Sequence, residues 1–162
     1  RINLIERLNA RKKLVASETE LSKLIYERGV DDAGFARIRS KGDKALFGGK
    51  TTEDMKKRLG VKKNAPLADI LPEVTISAKE FATAITTENT KRKSLQGKGS
   101  ILSEHITNNK NVRGVLIKSN IYPESLPPAE DIKKMTARHK KEMKELQKKQ
   151  KEEIKVVLRK LE

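Results

Sequence analysis

The side chains with the most chemical reach in this sequence are cations. Arg37, Arg39, Lys41, Lys44, Lys50, Lys56, Lys57, Arg58, Lys62 and Lys63 fall in one stretch, opposed by Asp43, Glu53 and Asp54. A second group, Lys91, Arg92, Lys93 and Lys98, is followed by Lys110, Arg113 and Lys118. Lys and Arg clustered in this way neutralise phosphates and release counterions. Backbone N–H groups at Gly42, Gly48 and Gly49 are expected to approach an anion closely, since no Cβ intervenes. Tyr26, Phe35, Phe47, Phe81 and Tyr122 are scattered, and the Phe residues fall on predicted core stripes. The expected chemistry is therefore contact with a phosphate backbone, without base reading or stacking.

Other chemistries find little support. His105 and His139 sit in different segments, with no second His, Asp or Glu at metal-ligand spacing. Glu104 adjoins His105, but neighbours on a helix face different directions. Gly97-Lys98-Gly99-Ser100 lacks the upstream glycine and preceding strand of a phosphate-binding P-loop. Asp31 and Asp32 form a tight carboxylate pair, which helix capping explains better than Mg²⁺ chemistry. There is no cysteine, hence no thiolate nucleophile and no disulfide. The sequence points to a protein that is not an enzyme and holds no metal or cofactor.

Charge sets the class of partner. Lys and Arg number 37 against 22 Asp and Glu, a formal net of +15 in 162 residues. A field of that sign attracts polyanions, so DNA, RNA and anionic membrane surfaces are the candidates, and a solvated surface without a partner is the alternative. No apolar run approaches the ~20 residues of a membrane span. No signal peptide opens the chain, and the first residue is Arg. The expectation is a cytoplasmic piece of a longer protein.

The elements that must carry these cations read as helices. Hydrophobic residues make up 35% and aromatics 3%, so the core must be thin and aliphatic. Ile2, Ile5, Leu8 and Val15 fall on one helical stripe. Ser17 and Glu20 read as a capping box before a second helix carrying Leu21, Leu24 and Ile25 and ending at Gly29; one long helix fits equally. Asp31 or Asp32 caps a short helix with Phe35 and Ile38, and turns are expected at Gly42-Asp43 and Gly48-Gly49. Thr51 to Leu59 is another short helix closed by Gly60. It resembles the first half of a helix-turn-helix, although Lys56 sits where a small residue normally packs and Pro66 falls where the recognition helix would run. Residues 64–72 are turn-like, offering Leu67, Ile70 and Leu71 to the core. Thr75 to Arg92 is amphipathic, with Ile76, Phe81, Ala84 and Ile85 inward. A loop at Ser94–Ser100 precedes a helix near Thr107–Ser119 with Val112, Val115 and Leu116 on one face. No strand is expected. The fold class is all-α: several short helices in residues 1–126, then a long charged helix in 127–162.

That last helix has the clearest pattern. Ile132, Met135, His139, Met143, Leu146, Gln150, Ile154, Val157 and Leu161 step by 3, 4 and 4 and repeat that order. An eleven-residue period gives a straight or slightly right-handed seam, on a helix about 50 Å long. Two readings stay open: a coiled-coil arm for a homodimer, or a single charged helix held by pairs such as Glu145–Lys149.

Longer runs carry a family resemblance. Tyr26 to Asp43 (YERGVDDAGFARIRSKGD) and Ala45-Leu-Phe-Gly-Gly49, continued by Thr51 to Gly60, Pro66 to Asp69, Leu95-Gln-Gly97, Glu104-His105, Asn108-Asn109, Val112-Arg113 and Leu126 to Lys133, resemble the bacterial DNA-damage-inducible protein D family, DinD. The resemblance implies an upstream domain similar to the N-terminal domain of viral Bro proteins, absent from this sequence. It also implies a place in the SOS response, a restraining action on RecA recombinase through its DNA filament, and a bacterial, nucleoid-associated location. It implies no catalytic residues. The expected function is non-enzymatic: binding DNA or a RecA–DNA filament through the basic surface and modulating recombination. A protein–protein interaction module without nucleic-acid contact is the alternative.

Overall fold

The computed structural model describes residues 2–162. It contains six α-helices and no strand among the described residues. They are α1 (Ile2–Tyr26), α2 (Asp32–Leu46), α3 (Thr52–Leu59), α4 (Glu73–Arg92), α5 (Gly97–Lys118) and α6 (Ile132–Leu161), with 3-10 turns at Leu67–Ile70 and Pro123–Ser125. The chain forms two compact units, residues 1–129 and 130–162.

The first unit is two helical hairpins laid on one another. Hydrogen bonds join α1 to the segment containing α4 at nearly constant sequence separation: Arg7 to Asp69 (62), Ser17 to Glu80 (63) and Arg28 to Thr90 (62). A constant offset means α1 and α4 run parallel. Gly34 of α2 lies beside Lys98, Gly42 beside His105 and Asn109, and Gly48 beside Arg113, so α2 and α5 are parallel too. Within a hairpin the helices are antiparallel, as Thr86 meeting Asn108 and Asn89 meeting Glu104 demonstrate for α4 and α5. Stacked helix pairs of this kind bury a core between layers.

Local signals explain the boundaries of α2 and α3. Asp31 caps α2, its carboxylate accepting the Gly34 N–H at 2.8 Å. Thr51 and Asp54 form a reciprocal capping box on α3, which ends at Gly60 with φ 71°. The hydrogen bonds from Thr51 hold the Asp54 carboxyl below its ordinary pKa. By contrast, α1 is one continuous helix. Ser17 does not cap a second helix, because its hydroxyl instead donates to Glu80 Oε1 at 2.7 Å.

Several expected faces are corrected. In α1 the buried positions are Leu4, Arg7, Leu14, Leu21 and Ile25, while Ile5 and Val15 are half exposed. Ile2's side chain lies outside the described residues. The inner stripe includes Arg7, only 1% exposed, which donates to the carbonyls of Asp69 and Leu71. An arginine on the core face makes the apolar residues point to the wrong side. Gly42-Asp43 is the interior of α2, not a turn, and Ser94–Ser100 is not a loop throughout, since α5 begins at Gly97. Phe81 and Val115 are solvent-facing at 59% and 66%.

The inward face of α4 is made largely of threonine: Thr75, Thr83, Thr86, Thr87 and Thr90 are buried with Ile76, Ala78 and Ala82. The hydroxyls of Thr83, Thr86 and Thr90 donate to the carbonyl four residues earlier, at 2.8, 3.0 and 2.7 Å, which lets polar residues face a core. Thr86 then accepts from Asn108 Nδ2 at 3.0 Å and lies 2.7 Å from His105 Nδ1. Because the Thr86 hydroxyl already donates to Ala82, the 2.7 Å contact is a hydrogen bond when His105 carries its proton on Nδ1 and donates it to Thr86. The ring packs on α2 at Gly42, where a Cβ would stand 2.5 Å from His105 Cδ2.

Two predictions follow from this packing. Gly-to-Ala changes inside helices ordinarily stabilise by about 1 kcal/mol. Gly114→Ala in α5, with nothing within 4 Å of the new Cβ, is expected to do so. Gly42→Ala is expected to destabilise by about 1–3 kcal/mol, because the ring must move in a packed interior. Urea unfolding of both variants checks the contrast.

Burial, opposed in part by Asp43, lowers the His105 pKa from 6.5 to about 4. The folded state therefore refuses a proton that the unfolded state accepts. The His105 contribution to stability is expected to be nearly flat above pH 6.5 and to fall by about 3 kcal/mol as pH drops from 6.5 to 4. The difference in pH slope between the wild type and His105→Gln isolates this contribution from that of the carboxylates.

Candidate nucleic-acid interface

The structure divides the predicted cations into those with an internal role and those without. Arg39 pairs with Glu18 at 2.6 Å and lies 5.8 Å over the Phe35 ring. Lys91 pairs with Glu20 at 3.5 Å and Lys93 with Glu104 at 2.8 Å. The pKa of Glu104 is lowered even though its burial acts the other way, because Lys93, Asn89 and Asn108 hydrogen-bond the carboxylate. Lys56 donates to the Lys63 carbonyl at 2.9 Å, and Arg58 to the carbonyls of Leu126 and Ser125, both at 3.0 Å. Of the later cations, Arg113 donates to the Leu46 carbonyl at 3.1 Å and grips Glu124, holding that carboxyl below its ordinary pKa.

What remains includes one row on α2. Arg37, Lys41 and Lys44 step by four and three residues and so share one face of the helix. Arg37 and Lys44 are exposed and Lys41 is half-buried. None of the three forms an ion pair among the described residues. Lys50 follows, exposed, in the loop before α3. Lys57, Lys62 and Lys63 are exposed around α3 and its C-terminal turn, and Arg92 and Lys98 are exposed at the α4–α5 connection.

A cleft of about 390 Å³ brings Arg39, Lys56 and Lys63 together with Arg11 and Lys79, which the sequence reading did not single out. The cleft is internally compensated: Arg11 pairs with Asp69 at 3.0 Å, Lys79 with Asp43 at 2.9 Å, and Thr52 donates to the same Asp43 at 2.9 Å. Arg11 and Lys79 could be found only by knowing that α1 and α4 lie side by side.

The expected glycine contacts in this region change, and the helix-turn-helix resemblance ends at α3. Gly42 is buried within α2, and the Gly49 N–H donates to the Lys44 carbonyl at 2.8 Å, so neither offers a free anion contact. The Gly48-Gly49 turn ends α2, where the helix dipole is negative and favours the nearby Lys44 and Lys50. The segment 52–70 is not a helix-turn-helix: a four-residue 3-10 turn stands where a recognition helix would be. Among the described residues no three His, Cys, Asp or Glu are placed to hold a metal ion, and Asp31 serves as the α2 cap.

The DinD C-terminal domain family model matches residues 4–135. The chain belongs to the DinD C-terminal domain family. No curated protein matches the chain. The match spans the whole two-hairpin stack and ends early in α6, so the eleven-residue seam lies mostly beyond it. Membership gives this DinD domain a DNA-damage-related role. No helix among the described residues is long and apolar enough to cross a membrane.

The division of cations makes a stability prediction. Arg113→Ala is expected to cost about 2–3 kcal/mol, since it strips a partner from part-buried Glu124 and from the Leu46 carbonyl. Arg37→Ala and Lys44→Ala are expected to stay within about 0.5 kcal/mol of wild type. Thermal unfolding of the three variants compares them directly.

Proposed function

We propose that this DinD domain is a non-enzymatic module that lies on the phosphate backbone of DNA, bare or within a RecA filament, and so modulates recombination. The observation that carries this reading is the α2 face. Arg37, Lys41 and Lys44 share one stripe, none of the three forms an ion pair among the described residues, and Lys50 extends the charge past the helix end. Of the other clustered cations, Arg39, Lys56, Arg58, Lys91 and Lys93 have structural partners, whereas Lys57, Lys62, Lys63, Arg92 and Lys98 are exposed; the α2 row is the set aligned along one helix face, in a chain of formal charge +15. Arg and Lys presented without aromatic neighbours suit phosphates and carry little sequence information. Family membership supplies the DNA-damage context, and restraint of RecA is the form of action that the family resemblance suggests.

The test is fluorescence anisotropy with labelled single- and double-stranded DNA across a salt series. Log affinity should fall linearly with log salt. The triple variant R37A/K41A/K44A should reduce that slope by about 2–3 while retaining its melting temperature. Absent binding at low salt, or affinity that does not respond to salt, would sink the proposal.

A further inference from the structure

The α6 unit carries a second surface, and its chemistry is the opposite of the basic face. Over residues 143–161 the eleven-residue pattern places Met143, Leu146, Ile154, Val157 and Leu161 along one side of the helix, and Leu158 lies beside them. All six are solvent-exposed, from 36% at Met143 to 78% at Leu161. A lone helix with such a stripe leaves its apolar face in water. Internal pairing does not account for the charges either. In this part of the helix the recorded ion pair is Glu152 with Lys155 at 3.8 Å, and Glu145 does not pair with Lys149.

We infer that this stripe is the contact between two copies of the chain, packed as a parallel two-helix seam. Two features select a second copy. The first is like matching like. The seam is polar in its middle, at Gln147 and Gln150, and wholly apolar at its end, at Ile154, Val157, Leu158 and Leu161. A parallel partner puts the apolar end on the apolar end and glutamine on glutamine. An antiparallel partner centred on Gln150 would set Leu161 against His139.

The second feature is flank charge. One edge of the stripe carries Lys140, Lys144, Lys151 and Lys155; the other carries Glu142 and Glu153 next to the stripe, with Lys149 and Lys160 further out. In a parallel pair, opposite edges of the two helices meet. Glu142 then faces Lys140 and Lys144 of the second copy, and Glu153 faces Lys151 and Lys155. An antiparallel pair would bring the two lysine edges together. Six apolar side chains from each copy bury on the order of 1,000 Å² in all, near the lower limit of a specific interface, so the dimer is weak and reversible. Between Lys140 and Glu162 cations outnumber carboxylates nine to five. Screening that excess makes the dimer tighter as salt rises, whereas backbone contact with DNA weakens.

Sedimentation equilibrium of the chain at about 100 µM, near the concentration a marginal interface requires, in low and high salt tests the inference. The expected result is a dimer that strengthens with salt and reverts to monomer in I154E/L158E, whose circular dichroism confirms an intact helical fold. A monomer at every salt concentration, or a dimer that the double variant leaves unchanged, would overturn it. Orientation is read separately with Leu161→Cys, since the chain has no cysteine of its own. Under an oxidised glutathione buffer a parallel pair gives the cross-linked dimer. Cysteines in an antiparallel pair centred on Gln150 lie about 33 Å apart, and failure to cross-link in a solution shown to be dimeric overturns the parallel arrangement. DNA affinity of I154E/L158E, measured alongside, separates failure of this inference from failure of the DNA-contact reading.

Discussion

The His105 ring seated on Gly42 and bonded to Thr86 is the contact on which the rest of the first unit depends. It is where α2, α4 and α5 meet. The absent Cβ sets how closely α2 approaches α5, and the saturated Thr86 hydroxyl sets how α4 and α5 pair. With few aromatic residues available, the domain uses a polar network around Thr86 in its interior. Such a network is stable only when every member is partnered, which is why the histidine must stay neutral and why the neighbouring Asp43 is held by Lys79 and Thr52.

That same economy decides what the positive charge does. Arg7, Arg28, Arg58 and Arg113 all donate to main-chain carbonyls far away in sequence. They close the ends of helices and turns that short loops leave open. Arginine is suited to this, since its planar fork offers several donors in fixed directions. The formal charge of the chain therefore overstates the charge available to a partner. Part of what is left over, Arg37, Lys41 and Lys44, lines one face of α2, and it is on that row that the proposed DNA contact rests.

Much of the fold was legible. Asp31, Thr51 with Asp54, and Gly60 announced helix ends through local chemistry that needs no tertiary context. The errors share one cause. α1 hides Arg7 and α4 hides a row of threonines, so a reading that sends apolar residues inward chose Ile5, Val15 and Phe81 for the core. The inward faces were set by hydrogen-bond partners that periodicity cannot see, Asp69 and Leu71 for Arg7 and His105 and Asn108 for Thr86. Gly42 misled for a related reason: a glycine that looks like a turn is the close-approach point of two helices. The candidate site was legible as a density of cations. Which of them are free was not, because ion pairs such as Arg39 with Glu18 and Lys93 with Glu104 arise from the packing.

The most direct test of the account is lysine footprinting by acetylation and mass spectrometry, with and without DNA. The account predicts strong protection of Lys41, Lys44 and Lys50 when DNA is bound, with Lys91 and Lys93 reacting equally in both states. Protection spread evenly over all of these lysines, or its absence from the α2 face, would contradict it.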